Sequence, residues 1–222
     1  MVPYILKRSR RKSVALVISP QAELVIKVPM RFSLGEIPHL LEKHQSWIES
    51  HIARQVQKVE ENPKKNFETG NRFYFQGDIV ELSIDPTATR VRLGGSQLLC
   101  PSVSLRLRKK LIKQWYADQT AAITLESVNN FKSSVSFWPK SVAVTHASRQ
   151  WGSCTRDGKI HFSWRLSMAP LAVVEYVVAH ELAHLQEHNH GSRFWKLVAS
   201  ICPEFAVNRA DLRKKGHLYN LV

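Results

Sequence analysis

The stretch "VVAHELAHLQEHNHGSRFW", residues 177–195, places four histidines, His180, His184, His188 and His190, within eleven positions of an otherwise apolar run. His180 and His184 are four residues apart. On a helix that spacing puts both imidazoles on one face, about 6 Å apart along the axis, close enough to lean onto one ion. Glu181 lies about 100° round the helix, able to reach a water at the ion without being a ligand. This is the HExxH arrangement, in which two histidines bind zinc and the glutamate acts as general base.

Spacing of this kind also arises by chance, as two surface histidines beside a solvated glutamate. The context argues against that reading. Val177, Val178, Leu182 and Leu185 make the same helix strongly apolar, and burying two imidazoles and a carboxylate without partners is costly. A metal supplies the partner. Catalytic zinc usually takes three protein ligands and keeps a position for water. His188 continues the series, but on an unbroken helix it lies about 12 Å from His180, out of reach. His190 is the better third ligand if the helix ends first. Asn189 and Gly191 both tolerate the left-handed backbone of a helix exit, and a turn there would swing His190 back toward the pair. The alternative for His190 is a loop histidine at a helix boundary.

Working outward, Pro170 suits a helix start, and "LAVVEYVVAHELAHL" is too apolar for a surface helix, so it is expected to be buried. "SRFWKLVASIC" and "EFAVNRADLRKKG" read as two further short helices. Upstream, "SVAVTHA" and the alternating "KIHFSWRL" read as a hairpin closed by Asp157 and Gly158. Leu111, Ile112, Trp115, Tyr116, Ala122 and Ile123 recur at helical spacing in a long helix. In the first hundred residues, "VALVISPQAELVIKV" reads as a hairpin around Pro20. Ser33 and Glu36 have capping-box spacing before a helix carrying Leu40, Leu41, Trp47, Ile48, Ile52 and Val56. "RFYFQGDIVELSI" and "TRVRLGGSQLL" add strands punctuated by Gly77, Gly94 and Gly95. The expected class is α+β, with a β-rich region over 1–100 carrying one amphipathic helix and a second unit over 101–222.

At 222 residues the chain can build a core without staples. Cys100, Cys154 and Cys202 form neither a CxxC pair nor an even set, which argues against a disulfide framework or a cysteine-rich zinc module. No apolar run approaches the ~20 residues that span a bilayer, and the N-terminus lacks a signal-peptide pattern, so a cytoplasmic protein without membrane contact is expected. The Arg-rich start would also suit a transit peptide, but its alternating continuation reads as strand. The formal net charge of +14, with clusters at "KRSRRK", "RLRKKLIK" and "RADLRKK", favours polyanions, nucleic acid or nucleotide among them, or else reflects solvated basic faces.

"HELAHLQEHNHGSRFW", together with the upstream "RQWGSCTRDGKIHFSWRLSMAP", resembles the YgjP-like metallopeptidase domain, a zincin group related to the SprT and Spartan proteases. The Trp-Gly-Ser-Cys run, the Trp-Arg-Leu strand, the Ala-Pro helix start and the histidine followed by Phe and Trp occur in order. "KRSRRKSVALVI" and "SWIES" extend the likeness over nearly the whole chain. The resemblance implies a zincin-like C-terminal half with its active-site helix beside a small sheet. It implies zinc ligation by His180, His184 and His190 and catalysis by Glu181. The ligand spacing equals that of metzincins, yet Glu187 stands where they place a turn glycine, which moves the expected turn to Asn189. Trp151, Gly152, Ser153 and Cys154 are expected near the strand bordering the cleft. Trp151 reads more readily as a packing anchor and Gly152 as a backbone requirement, while Cys154 lacks the setting of a nucleophile. His146, Arg149 and Trp151 are candidate substrate contacts.

The leading expectation is hydrolysis of a peptide or protein substrate. Zinc, or another divalent transition metal, lowers the pKa of a water toward ~7, and Glu181 takes its proton. An extended peptide could pair with an exposed sheet edge beside the helix. One alternative is a metal-dependent phosphohydrolase acting on nucleotides, of the nucleoside triphosphate pyrophosphatase type, motivated by the basic surplus but lacking a Gly-rich phosphate loop. Another is a nucleic-acid-associated binding module with a structural metal, whose binding would weaken as salt rises.

Overall fold

The computed structural model describes residues 2–221. It is α+β, with three small mixed sheets and six α-helices among those residues. The chain divides into two compact units, Met1–Lys64 and Lys65–Val222.

The first unit starts with β1 (Tyr4–Ser9), β2 (Ala15–Ile18) and β3 (Leu24–Pro29), in the order β1-β3-β2. The expected hairpin is β2 against β3, closed where Ser19 N–H donates to the Glu23 carbonyl at 2.8 Å. β1 joins the other side of β3 in parallel. Helices α1 (Ile37–Lys43) and α2 (Gln45–Glu61) replace the single helix expected from periodicity, because His44 leaves the helical region at φ −112°, ψ 15°. The capping box does not form: residues 34–36 are a 3-10 turn, and Ser33 makes no side-chain cap bond. Leu24, Ile26, Val28, Ile37 and Ile48 form the core, with Leu40, Leu41 and Ile52 packed against it. Trp47 and Val56, placed in the apolar stripe by periodicity, are exposed.

The second unit begins with β4 (Arg72–Phe75), β5 (Asp78–Asp85), β6 (Arg92–Gly94) and β7 (Gln97–Pro101), in the order β4-β5-β7-β6. The division expected near residue 100 therefore falls earlier, between residues 64 and 65. Packing is the reason. Phe73, Val80, Leu82, Leu98 and Cys100 share one core with Ile112 and Tyr116 of α3 (Leu105–Asn130). The Tyr116 hydroxyl also donates to the Tyr74 carbonyl at 2.8 Å. The tip of the β4–β5 hairpin turns through Gln76 and Gly77, at φ 50° and 89°. Their N–H groups donate to the carbonyls of Ser167 and Met168 at 2.8 and 3.0 Å. A Cβ on Gly77 would stand 2.8 Å from Pro170 Cγ, so glycine is required there for φ and for space.

After α3 come β8 (Ser141–Thr145), β9 (Gly152–Cys154) and β10 (Lys159–Ser163), in the order β8-β10-β9. The antiparallel partner of β10 is the Gly152–Cys154 strand, whereas Ser141–Thr145, expected as the other arm of the hairpin, lies parallel to β10. The turn at Gly158 (φ 82°) closes β9 onto β10. Trp164 lies beyond the strand, and Leu166 opens a 3-10 turn. Helix α4 (Leu171–Ala183) follows Pro170, with Val173, Val174, Val177, Val178 and Leu182 buried. Helices α5 (Ser192–Ile201) and α6 (Phe205–Lys215) complete the unit. Among the described residues no helix is long and apolar enough to cross a membrane, and all three cysteines are free.

Candidate metal centre

Helix α4 carries His180 in its last turn and is capped by His184. Beyond it the chain tightens: Leu185 N–H donates to Leu182 O at 3.0 Å and Gln186 N–H to Ala183 O at 3.1 Å. These i→i+3 bonds tighten the last turn, which Glu187 N–H closes by donating to Ala183 O at 2.9 Å. The reversal uses no left-handed residue at Asn189 or Gly191, contrary to expectation. Neither is among the positive-φ positions, and Gly191 is extended at φ −78°, ψ −174° as it caps α5.

The outcome is that His180, His184 and His190 meet, each offering a ring nitrogen within 4.8 Å of the others. His180 Nε2 and His190 Nε2 are 3.1 Å apart. Two nitrogens bound at ~2.0–2.1 Å to a tetrahedral ion are separated by about 3.3–3.4 Å, so the pair is already near ligand spacing. His184 Nδ1 contacts the Glu187 carbonyl at 3.1 Å, which holds that ring and leaves Nε2 for a ligand bond. His180 Nδ1 is buried without a hydrogen-bond partner. Burial first, then the neighbouring charges of His184, His190 and Arg209, pushes His180 down to about 3. Burial likewise lowers His184. Imidazoles held neutral offer lone pairs, which is the state a divalent metal needs. The donor set fits the metal. His188 is exposed and lies outside the cluster.

Glu181 is 5% exposed, and burial pushes its carboxyl up to about 8. Strand β9 forms the wall behind it. A Cβ built on Gly152 would stand 2.6 Å from Glu181 Oε1, 2.7 Å from Cγ and 2.9 Å from Cδ. The φ of Gly152 is not positive, so glycine is required there for space and not for backbone freedom. That demand was invisible in the sequence, where Gly152 reads only as a backbone requirement.

The histidine cage is backed by aromatic packing that periodicity alone did not assign. The Phe194 ring, fully buried, lies with its centroid 4.9, 4.5 and 4.7 Å from the rings of His180, His184 and His190. Trp195 Nε1–H donates to the His190 carbonyl at 3.1 Å, and the indole stacks on Phe205 at 5.6 Å. The exposed Arg209 guanidinium lies 4.4 Å from the indole centroid. The Phe and Trp that follow the histidine therefore support the cage.

His146 and Arg149 lie exposed in the connection between β8 and β9. Trp151 packs against the Arg165 guanidinium at 4.3 Å and the Tyr219 ring at 6.3 Å, which is the anchor role anticipated for it. Cys154 is half-buried, and burial, with the charges of Glu181 and Asp157, pushes its thiol up to about 11. It is a thiol and a poor nucleophile at neutral pH.

A family model described as YgjP-like, metallopeptidase domain, matches residues 12–215. No curated protein and no solved structure matches the chain.

Proposed function

The chain belongs to the YgjP-like metallopeptidase family, and from that premise we propose that it hydrolyses peptide bonds with zinc held by His180, His184 and His190 and with Glu181 as general base. Membership makes it a metal-dependent hydrolase of the peptidase kind. The observation that carries the finer reading is the convergence of three imidazoles beside one buried carboxylate.

When bound, the metal supplies Lewis acidity, lowering the pKa of water and polarising a carbonyl. Glu181 accepts the proton of the attacking water and returns it to the leaving amine. Its high proton affinity in the metal-free protein reflects desolvation, and a cation beside it favours the carboxylate needed to take the proton.

Peptide binding is supported by β9. Among the described residues this strand pairs with β10 alone. Ser163 N–H donates to Trp151 O, and Thr155 N–H to Lys159 O. Alternation then turns the peptide groups of Gly152 and Cys154 toward the open edge, next to Glu181. An extended substrate pairing there is read through its backbone, with little demand on sequence.

The test is metal analysis and turnover of Glu181→Gln against a peptide library, with nucleoside triphosphates assayed in parallel. Retained metal with lost peptide cleavage supports the reading. Metal-dependent phosphate release without peptide cleavage overturns it in favour of a phosphohydrolase, the reading that the +14 charge motivates. A metal-loaded variant with every function intact makes the metal structural, as in a nucleic-acid-associated binding module.

A further inference from the structure

The N-terminal unit carries a groove of about 320 Å³ between β2 and α2, lined by Leu16, Val17 and Ile18 on the strand and by residues of the helix. β2 hydrogen-bonds β3 on one side and is an edge of its sheet. The Ser19–Glu23 bond fixes the phase of that ladder. With Val17 opposite Val25 and Ala15 opposite Lys27, alternation directs the peptide N–H and C=O groups of Leu16 and Ile18 to the open side. An edge of this kind is a template for one more strand.

The helical wall has a definite chemistry. Trp47, His51, Arg54 and Lys58 all line the groove, and their spacing places them along one face of α2. The rings of Trp47 and His51 stack with centroids 4.1 Å apart at 27°, making a flat plate, although Trp47 is 38% exposed. Arg54 and Lys58 continue the same face with positive charge, and no aspartate or glutamate lines the groove. Gln55 Nε2 donates to the Pro20 carbonyl at 3.0 Å, pinning the helix to the turn that follows β2.

We propose that this groove binds an extended acidic peptide segment as an added strand on β2. Backbone groups of the segment pair with Leu16 and Ile18. Alternate side chains face α2, where an apolar one covers the Trp47 plate and carboxylates meet Arg54 and Lys58. The groove lies wholly within residues 16–58 and needs no metal, so it is a capture site for acidic protein segments separate from the histidine centre.

The experiment uses the full chain carrying Glu181→Gln, so that the probe is not cut. Fluorescence anisotropy follows a labelled short peptide whose alternate residues run valine, glutamate, glutamate, with threonine between them. Saturable binding is expected. It is expected to be lost when the pairing amides of the peptide are N-methylated, and lost when lysine replaces glutamate. Arg54→Glu with Lys58→Glu should weaken it by about tenfold or more, with circular dichroism unchanged. Should charge reversal unfold the unit, Arg54→Gln with Lys58→Gln gives the same readout at smaller amplitude. Equal binding by the N-methylated peptide, or by both double variants, overturns the proposal. So does a single-stranded oligonucleotide that binds through the same two cations when the acidic peptide does not.

Discussion

A methyl group on Gly152 would stand 2.6 Å from Oε1 of Glu181, so a side chain at that point of the strand and the carboxylate cannot share the space. Gly152→Ala must push the carboxylate aside or bow β9 outward. The expected cost is about 1–3 kcal/mol of stability, the usual range for overpacking. A displacement of about 1 Å in the base also costs on the order of 100-fold in turnover. Metal content should be unchanged, since the three atoms nearest the added methyl all belong to Glu181. Full activity in a folded Gly152→Ala would remove the wall from the mechanism.

Glu181→Gln keeps the shape of the side chain and removes its basicity. Turnover should fall by about 100- to 10,000-fold, with zinc stoichiometry preserved. Plasma emission on the purified variant, run beside the peptide assay, separates loss of the base from loss of the ion.

His190→Ala and His188→Ala are a matched pair two residues apart. His190 shares the nitrogen cluster, whereas His188 is exposed outside it. Zinc titration against a chromophoric chelator should show a large loss of affinity for the first and none for the second. Comparable losses in both would mean that the wrong imidazole has been chosen.

Phe194→Ala opens a cavity beneath all three imidazoles. Removing a fully buried phenylalanine costs about 3–5 kcal/mol, and loosened rings should lower metal affinity by roughly 10- to 100-fold, as for other groups that orient ligands. Phe194→Leu should fall between the two. Calorimetry with and without metal reads both effects.

In the metal-free protein Glu181 and His180 make opposing contributions to stability that cancel over one window of pH, on top of the acid-side decline that the lowered His184 adds. Glu181 is pushed up to about 8 from its ordinary 4.5, and His180 down to about 3 from 6.5. Between pH 4.5 and 6.5 the unfolded chain holds the histidine proton and the folded chain holds the glutamate proton. The counts match, and these two groups give no slope. Below that window, down to about pH 3, the unfolded chain binds one proton more, so stability falls with falling pH. Above it, up to about pH 8, the folded chain binds one proton more, so stability falls with rising pH. Urea midpoints after chelation should show this in the difference between the protein and Glu181→Gln, in which the alkaline decline is lost and the histidine's acid decline begins near pH 6.5 instead of 4.5. An unchanged alkaline limb in that variant would assign the slope to other groups.

The HExxH helix was legible because its demands are local: two donors one turn apart, and an apolar face that could not otherwise carry them. The α+β class followed from the same short-range periodicities. Gly152 was not legible as a partner of Glu181, since its requirement comes from a strand and a helix meeting in the fold. The route to His190 was misread for a related reason. Asn189 and Gly191 permit a left-handed exit, but i→i+3 bonds at Leu185 and Gln186 tighten the last turn with ordinary backbone. The early division between units also escaped notice, because β4 to β7 reveal their allegiance only by packing on α3.

The three clustered histidines fall within eleven residues, whereas the wall behind Glu181 comes from a strand 29 positions earlier in the chain. Contacts close in sequence form before distant ones, since less loop entropy is lost in closing them. The three ring nitrogens therefore need only one helix and its exit turn to be brought together, whereas the wall against the carboxylate has to be delivered from elsewhere in the chain.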